Sequence, residues 1–441
     1  MPGAIAVRMK TSTRGAVALV AMLFSLMAFG GPAQAHWGPA PADPAVITTW
    51  DAIAVRTISV EGGKPPAVAQ LYLGFMSAAV YDAVLATEGD YGSHDGTSYG
   101  HRRQQASSPA AAATAAYRIL GFYFPASAAA LAADYQASLT AIPDGRAKDN
   151  GIAIGQAAAA RIELLRQGDG RDDASIVYPS AAAPGVWRPT PPPLGPFVAP
   201  WVGFVRPLVL SSPTQIALHG PDPLTSRRYA RDFDEVKAFG SATNSVRTPE
   251  QTENALFWSD NVQVQYQAGF RDLATRHGLD IVRSARMFAL LNVSTADALI
   301  SCWRAKFDFA FWRPITAIRL ADTDGNPATT PDPTWTPLIG TPAHPDYPSG
   351  HACLTGATTA GLSALLGHRH IDLTVSSAVT KTTRHYESAR ELNEDTMNAR
   401  IWLGLHFRRA MTDGNQLGQD VTSYVVRNAF RPASWRDWAH G

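Results

Sequence analysis

Through most of the chain, apolar residues recur at i, i+3 and i+4, the spacing of a helix with one buried face. With its richness in Ala, Leu and Gln, this pattern predicts helices at 49–59, 69–86, 110–122, 127–139 and 150–166. The same periodicity returns at 226–239, 249–266, 280–305, 349–366, 388–403 and roughly 406–430. Two-residue alternation is scarce, which points to an all-α protein rather than to βαβ units. Two stretches interrupt the helices. Ten prolines fall between Pro179 and Pro213, a density that no regular helix or central strand survives. Tyr178, Trp187, Phe197, Trp201 and Phe204 lie in or beside that stretch, and a flexible linker would lack such aromatics. It reads as an ordered arm wrapped on the surface, with a substrate-channel wall as the alternative. The second stretch, 322–347, carries six prolines.

The first 35 residues follow a different pattern. Arg8, Lys10 and Arg14 precede an apolar run from Ala16 to Phe29, and Ala33-Gln34-Ala35 fits a small-residue cleavage site. The run is shorter than the ~20 residues of a spanning helix, so a cleaved signal peptide is expected rather than an anchor. The mature chain would begin at His36 and be secreted or periplasmic, by the general secretory route since no twin-arginine pair is present. No later stretch has ~18 uninterrupted apolar residues, so no integral membrane segment is expected after cleavage. The expected organisation is then a helical region at 36–248 with the Pro-rich arm at 179–213, a catalytic helical bundle at 249–430, and a tail at 431–441.

Composition narrows the function classes. A formal net charge of +1 over 441 residues argues against a nucleic-acid binder. Cleavage of the signal removes three cations and no acid, leaving a slightly negative mature chain. Cys302 and Cys353 are the only cysteines, too few for a disulfide scaffold and without zinc-site spacing.

Three cationic motifs carry the chemistry. Lys306 and Arg313 are seven residues apart, only about 20° short of two helical turns, so one helix face could present both. The residues between them are mostly aromatic, a setting in which two cations are costly unless they neutralise acids or bind an anion. The second motif is His344-Pro-Asp-Tyr-Pro348-Ser349-Gly350-His351, ahead of an apolar-periodic run. Ser349 can cap a helix there, and Gly350 lets the backbone approach a ligand. The free N–H groups make an anion site with His351 at its rim, able to exchange protons near neutral pH. The third motif pairs Arg400 with His406; on a straight helix they would diverge, and Gly404 offers the break that lets them converge.

Taken together, Lys306-x6-Arg313-Pro314, Pro348-Ser349-Gly350-His351 and Arg400-x5-His406 resemble the vanadium-dependent haloperoxidase and type 2 phosphatidic acid phosphatase superfamily. Trp303, Lys306, Asp308, Phe309, Phe311, Trp312, Arg313 and Pro314 make the resemblance strongest to the haloperoxidase branch. It implies two packed helical bundles with long Pro-rich loops and an oxyanion site in the C-terminal bundle. It also implies a vanadate cofactor, with Lys306, Arg313, Ser349, Gly350 and Arg400 on its oxygens. His406 would be the metal ligand and His351 the acid–base group. Hydrogen peroxide, a halide and a small organic molecule would be the substrates. Trp303 and His344 would line the halide pocket, and His at that place resembles the bromide-oxidising pattern. The alternative within the superfamily is an exported acid phosphatase acting on a phosphate ester through a phosphohistidine at His406, without a metal.

Two details remain open in the sequence. The superfamily often has Asp four residues after its last His, whereas this chain has Ala410. Asp413 is about 10 Å further along a helix, too far for a direct bond, so a backbone carbonyl could orient His406 instead. Cys302 and Cys353 flank Lys306 and His351; a disulfide would clamp the two motif helices, and two buried apolar cysteines are the alternative.

Overall fold

Thirteen α-helices and one two-stranded hairpin make up the described residues of the computed structural model. These are 42–430 apart from 90–92, 95–104, 180–181, 192–193 and 368–369; the expected signal segment and tail lie outside them. The N-terminal helices are α1 (Ala45–Val55), α2 (Pro66–Glu88), α3 (Ser108–Tyr123), α4 (Ala128–Thr140) and α5 (Arg146–Leu165). Then come α6 (Arg227–Gly240), α7 (Pro249–Phe257), α8 (Val262–Arg276), α9 (Ile281–Phe309) and α10 (Pro314–Arg319). The chain closes with α11 (Gly350–Leu366), β1 (His370–Ser376), β2 (Thr383–Ser388), α12 (Ala389–Trp402) and α13 (Arg408–Asn428).

The long helix α9 is the spine. It packs on α2 on one side and on α11 and α13 on the other. Helix α2 is long and apolar enough to cross a membrane, yet the whole of that apolar stretch is buried inside the fold. One hydrophobic core runs from Ile47 to Phe430 and so spans both expected regions.

Three expectations change. The predicted helix 249–266 is two helices, because Asn261 caps a new start: its side chain accepts from Gln263 and Val264 N–H. The segment 370–388 is an antiparallel hairpin, in which Ile371, Leu373 and Val375 alternate into the core. Helix α9 ends at Phe309, with Ala310 left-handed at φ 44, so Lys306 and Arg313 do not share a helix. Pro314 explains the restart, since a residue before proline is held extended and Arg313 has ψ 155 at the N-cap of α10.

The Pro-rich arm is ordered and anchored, as its aromatics imply. Trp187 and Phe197 are buried, and Tyr178 packs edge-on against both and against Phe307 of α9. Asp297, buried in α9, accepts from the N–H groups of Leu208, Val209 and Leu210 at 2.6–2.9 Å. The arm also braces the turn after α9: Trp187 N–H donates to Ala310 O, and Trp312 N–H to Gly185 O.

Helices α11 and α13 meet through glycine. A Cβ on Gly356 would stand 2.1 Å from Asn415 O, and one on Gly418 2.1 Å from Cys353 O. Cys302 and Cys353 are both buried between these helices and α9, and they are not joined. Cys302 instead directs its S–H toward Pro348 O at 3.7 Å. The motif helices are thus clamped by close packing, with no disulfide.

Gly418→Ala is expected to destabilise the chain by about 1–3 kcal/mol through overpacking, read as a lower denaturation midpoint. An unchanged midpoint would refute so tight a seam. Thiol titration under denaturing, non-reducing conditions is expected to find two free thiols per chain, and none would restore the clamp.

Candidate oxyanion site

Lys306, in the last turn of α9, is fully buried, and its ammonium donates to Pro345 O at 2.6 Å and Asp346 O at 3.2 Å. Of its three donors, one remains for the pocket. Arg313 is also fully buried. Its Nε donates to His344 O at 2.7 Å, one terminal nitrogen to Leu405 O and His406 Nε2, and the other to Pro342 O and His344 Nδ1. All five N–H groups therefore have acceptors in the chain. Arg313 gives the pocket charge and order, and it shares a donor with a ligand only by giving up one of these bonds.

Arg400 stands in the last turn of α12, where it donates to Trp258 O at 3.1 Å. Its Nε is buried without a hydrogen-bond partner. Gly404, at φ 78, breaks the chain as its position implies, and a Cβ there would meet Gly240 O at 2.5 Å. His406 lies in the resulting loop, ahead of α13 rather than on it. The break swings His406 back to Arg313, so Arg400 and His406 both border the pocket.

Ser349 is the N-cap of α11, its hydroxyl accepting from Ala352 N–H, and Gly350 and His351 form the first turn. His351 Nε2 is buried with no partner. Trp303 packs against His344, ring centroids 5.2 Å apart, and Lys306 lies 5.7 Å from the Trp303 ring. The arm reaches this corner through Val198, whose carbonyl accepts from Trp303 Nε1 and whose N–H donates to Ala343 O. Val198 thus ties the arm to the Trp303 corner.

Asp346 was not among the residues singled out from the sequence. It is buried, and its Oδ1 accepts from His406 Nδ1 at 2.9 Å and from Phe407 N–H at 3.4 Å. The orienting group of His406 is a carboxylate, not the backbone carbonyl entertained from the sequence. Asp413 is occupied elsewhere, accepting from the Tyr347 hydroxyl at 2.6 Å. Because Arg313 donates to Nε2 of His406, the ring proton belongs on Nδ1 and the Nε2 lone pair is engaged by Arg313. In His344, Nδ1 lies 3.0 Å from a terminal nitrogen of Arg313 and 3.3 Å from Pro345 O.

Electrostatics describe a site built for an anion. Three buried cations gather here: Lys306 and Arg313 face one carboxylate, Asp346, and Arg400 faces Arg313. Burial pulls Lys306 down to about 8, Arg400 to about 9 and Arg313 to about 10, and lifts Asp346 to about 7. His351 and His406 are held well below their usual values, by burial first and then by the nearby cations. Each cation out of water costs several kcal/mol unless compensated. Vanadate fits this donor set: it would offset the excess positive charge, accept from Arg400 Nε and Lys306, and reach the His406 Nε2 lone pair in exchange for its bond from Arg313.

Anion binding is expected to weaken as pH rises. The bound anion favours protonated Lys306, so above about pH 8 binding takes up a proton and affinity falls, by up to about tenfold per pH unit. Ionisation of Asp346 acts in the same direction. Sulfate, which does not titrate in this range, is the probe for calorimetry; affinity unchanged between about pH 7 and pH 9 would contradict the assignment.

Comparisons with known proteins find vanadium haloperoxidases similar in sequence and fold. The family model of the VCPO second helical-bundle domain matches residues 286–434, a span that contains all of these site residues except Trp258 and Val198. The vanadium chloroperoxidase of Curvularia inaequalis is 29% identical where it matches, over 38% of this chain. That match spans 37% of the relative's own length. Among solved structures, the first bacterial vanadium-dependent iodoperoxidase superposes with a TM-score of 0.73 at 22% identity, covering 89% of this chain and 97% of its own. A holo-type bacterial vanadium-dependent chloroperoxidase gives 0.68 at 17% identity, covering 87% and 97%. Residues 286–434 therefore match the model of the VCPO second helical-bundle domain, and the chain as a whole shares the fold of the bacterial vanadium-dependent iodoperoxidase and chloroperoxidase structures.

Proposed function

We propose that this protein is an exported vanadate-dependent haloperoxidase that oxidises halide with hydrogen peroxide and so halogenates a small organic molecule. The observation that carries the reading is the gathering of three buried cations, an unpartnered Arg400 Nε and an unpartnered His351 Nε2 around the His406 lone pair. Bound vanadate would supply the Lewis acid that activates peroxide toward attack by halide. Lys306 and Arg400 would hold its oxygens, with Arg313 adding charge and the Gly350 N–H a first-turn donor. His406 Nε2, unprotonated and now accepting from Arg313, would ligate the metal by giving up that bond, and His351 Nε2 is placed to take and return a proton. His344 and Trp303 form the corner for the halide, and we assign bromide over chloride from a histidine beside Trp303. Export rests on the signal-like segment 1–35.

The anion cradle alone would also suit a phosphate ester, and Asp346 supplies the carboxylate partner that a nucleophilic His406 would need. The Trp303–His344 corner and the haloperoxidase relatives favour oxidation over hydrolysis. Purified protein is therefore expected to halogenate an activated carbon acid with peroxide and bromide, only after vanadate is added. His406→Ala is expected to abolish this turnover. Vanadate-independent release of phosphate from an aryl phosphate, without halogenation, would reverse the assignment.

A further inference from the structure

We propose that Asp346 is the positioning residue of the site: it fixes the ring of His406 with the proton on Nδ1, leaving Nε2 unprotonated beside Arg313, where it can exchange that bond for the oxyanion. This rests on the oxyanion reading of the pocket and assigns a role to a residue of the second motif to which the sequence gives none. Asp346 is tied down on every side. Its N–H donates to Phe311 O at 2.9 Å, its carbonyl accepts from Lys306, and its Oδ1 accepts from His406 Nδ1 and Phe407 N–H. One residue thus joins the turn after α9, the lysine and the histidine.

The geometry has a chemical consequence. A histidine that ligates through Nε2 must carry its proton on Nδ1, and the group bonded to Nδ1 decides this. Among the described contacts of that nitrogen, the acceptor is Asp346 Oδ1. The carboxylate also sets the charge of the site, since it faces Arg313 and Lys306. Its second oxygen, Oδ2, is buried without a hydrogen-bond partner. A cleft beside Asp346 is lined by Asp346, Phe407, Tyr229, Phe311, Asp232 and Ala410. Ala410, four residues after His406, therefore borders the same space. An acid placed there would share that space with Asp346, which makes relocation of the carboxylate a usable experiment.

The test compares the full chain with Asp346→Ala, Asp346→Asn and the double variant Asp346→Ala/Ala410→Asp. Two quantities are read: vanadate affinity by calorimetry, and the proton-bearing nitrogen of His406 by 15N resonance of the imidazole. Asp346→Ala is expected to bind vanadate about 10–100-fold more weakly, with the His406 proton no longer confined to Nδ1. Asp346→Asn keeps an accepting oxygen, so it is expected to retain the Nδ1 proton and to fall between the two. The double variant is expected to regain about tenfold of the lost affinity. A folded Asp346→Ala that matches the wild type overturns the proposal. So does a loss that neither Asn nor the relocated carboxylate lessens, because that marks a loop brace rather than a positioning group. If Asp346→Ala does not fold, Asp346→Asn decides, and wild-type affinity with a mobile His406 proton overturns the proposal. A wild-type chain that binds no vanadate refutes the oxyanion reading itself, and this inference with it.

Discussion

Two guanidinium groups and one ammonium are held away from water beside a single carboxylate, and the surrounding structure is arranged to make that tolerable. Isolated charges of this kind would cost several kcal/mol each. Backbone carbonyls meet most of the demand: those of Pro342, His344, Pro345, Asp346 and Leu405 accept from Lys306 and Arg313, and Trp258 from Arg400. Carbonyl dipoles satisfy N–H donors without cancelling their charge. The pocket therefore stays electropositive while remaining ordered, which is the property an oxyanion site requires.

This explains why the loop 341–349 is irregular and rich in proline. A helix or strand commits its carbonyls to its own ladder, so it could not lend a run of them to side chains. Proline removes competing N–H donors and fixes φ, leaving carbonyls free and their directions set. The same logic applies to the arm before α6. It has no ladder of its own, so its N–H groups are satisfied by Asp297, and it in turn supports the left-handed turn at Ala310 from which Arg313 is presented.

Much of this was legible along the chain. The helix period marked nearly all of the helices, since a one-faced apolar stripe has little alternative once it packs. Gly404 was identified as a break because Arg400 and His406 could not converge without one, and the structure places it at φ 78. The motif residues were identifiable by type and order. Other features were in the sequence but outweighed: His370-Ile-Asp-Leu-Thr-Val-Ser376 alternates cleanly, yet a single hairpin is easily lost among helices. The restart at Pro314 was equally available, because the residue before a proline resists helix, but the seven-residue spacing favoured one continuous face.

What the sequence determined by itself is the inventory: helical class, ordered arm, three cationic motifs and the anion chemistry they share. Each follows from local rules of period, capping and charge. Only the tertiary structure decided how that inventory is wired. Lys306 and Arg313 converge through a turn pinned by a distant arm, and Cys302 and Cys353 lie between packed helices without being joined. His406 takes its partner from Asp346, 60 residues earlier. No local period or spacing encodes these contacts, because burial and hydrogen-bond satisfaction are properties of the packed interior as a whole.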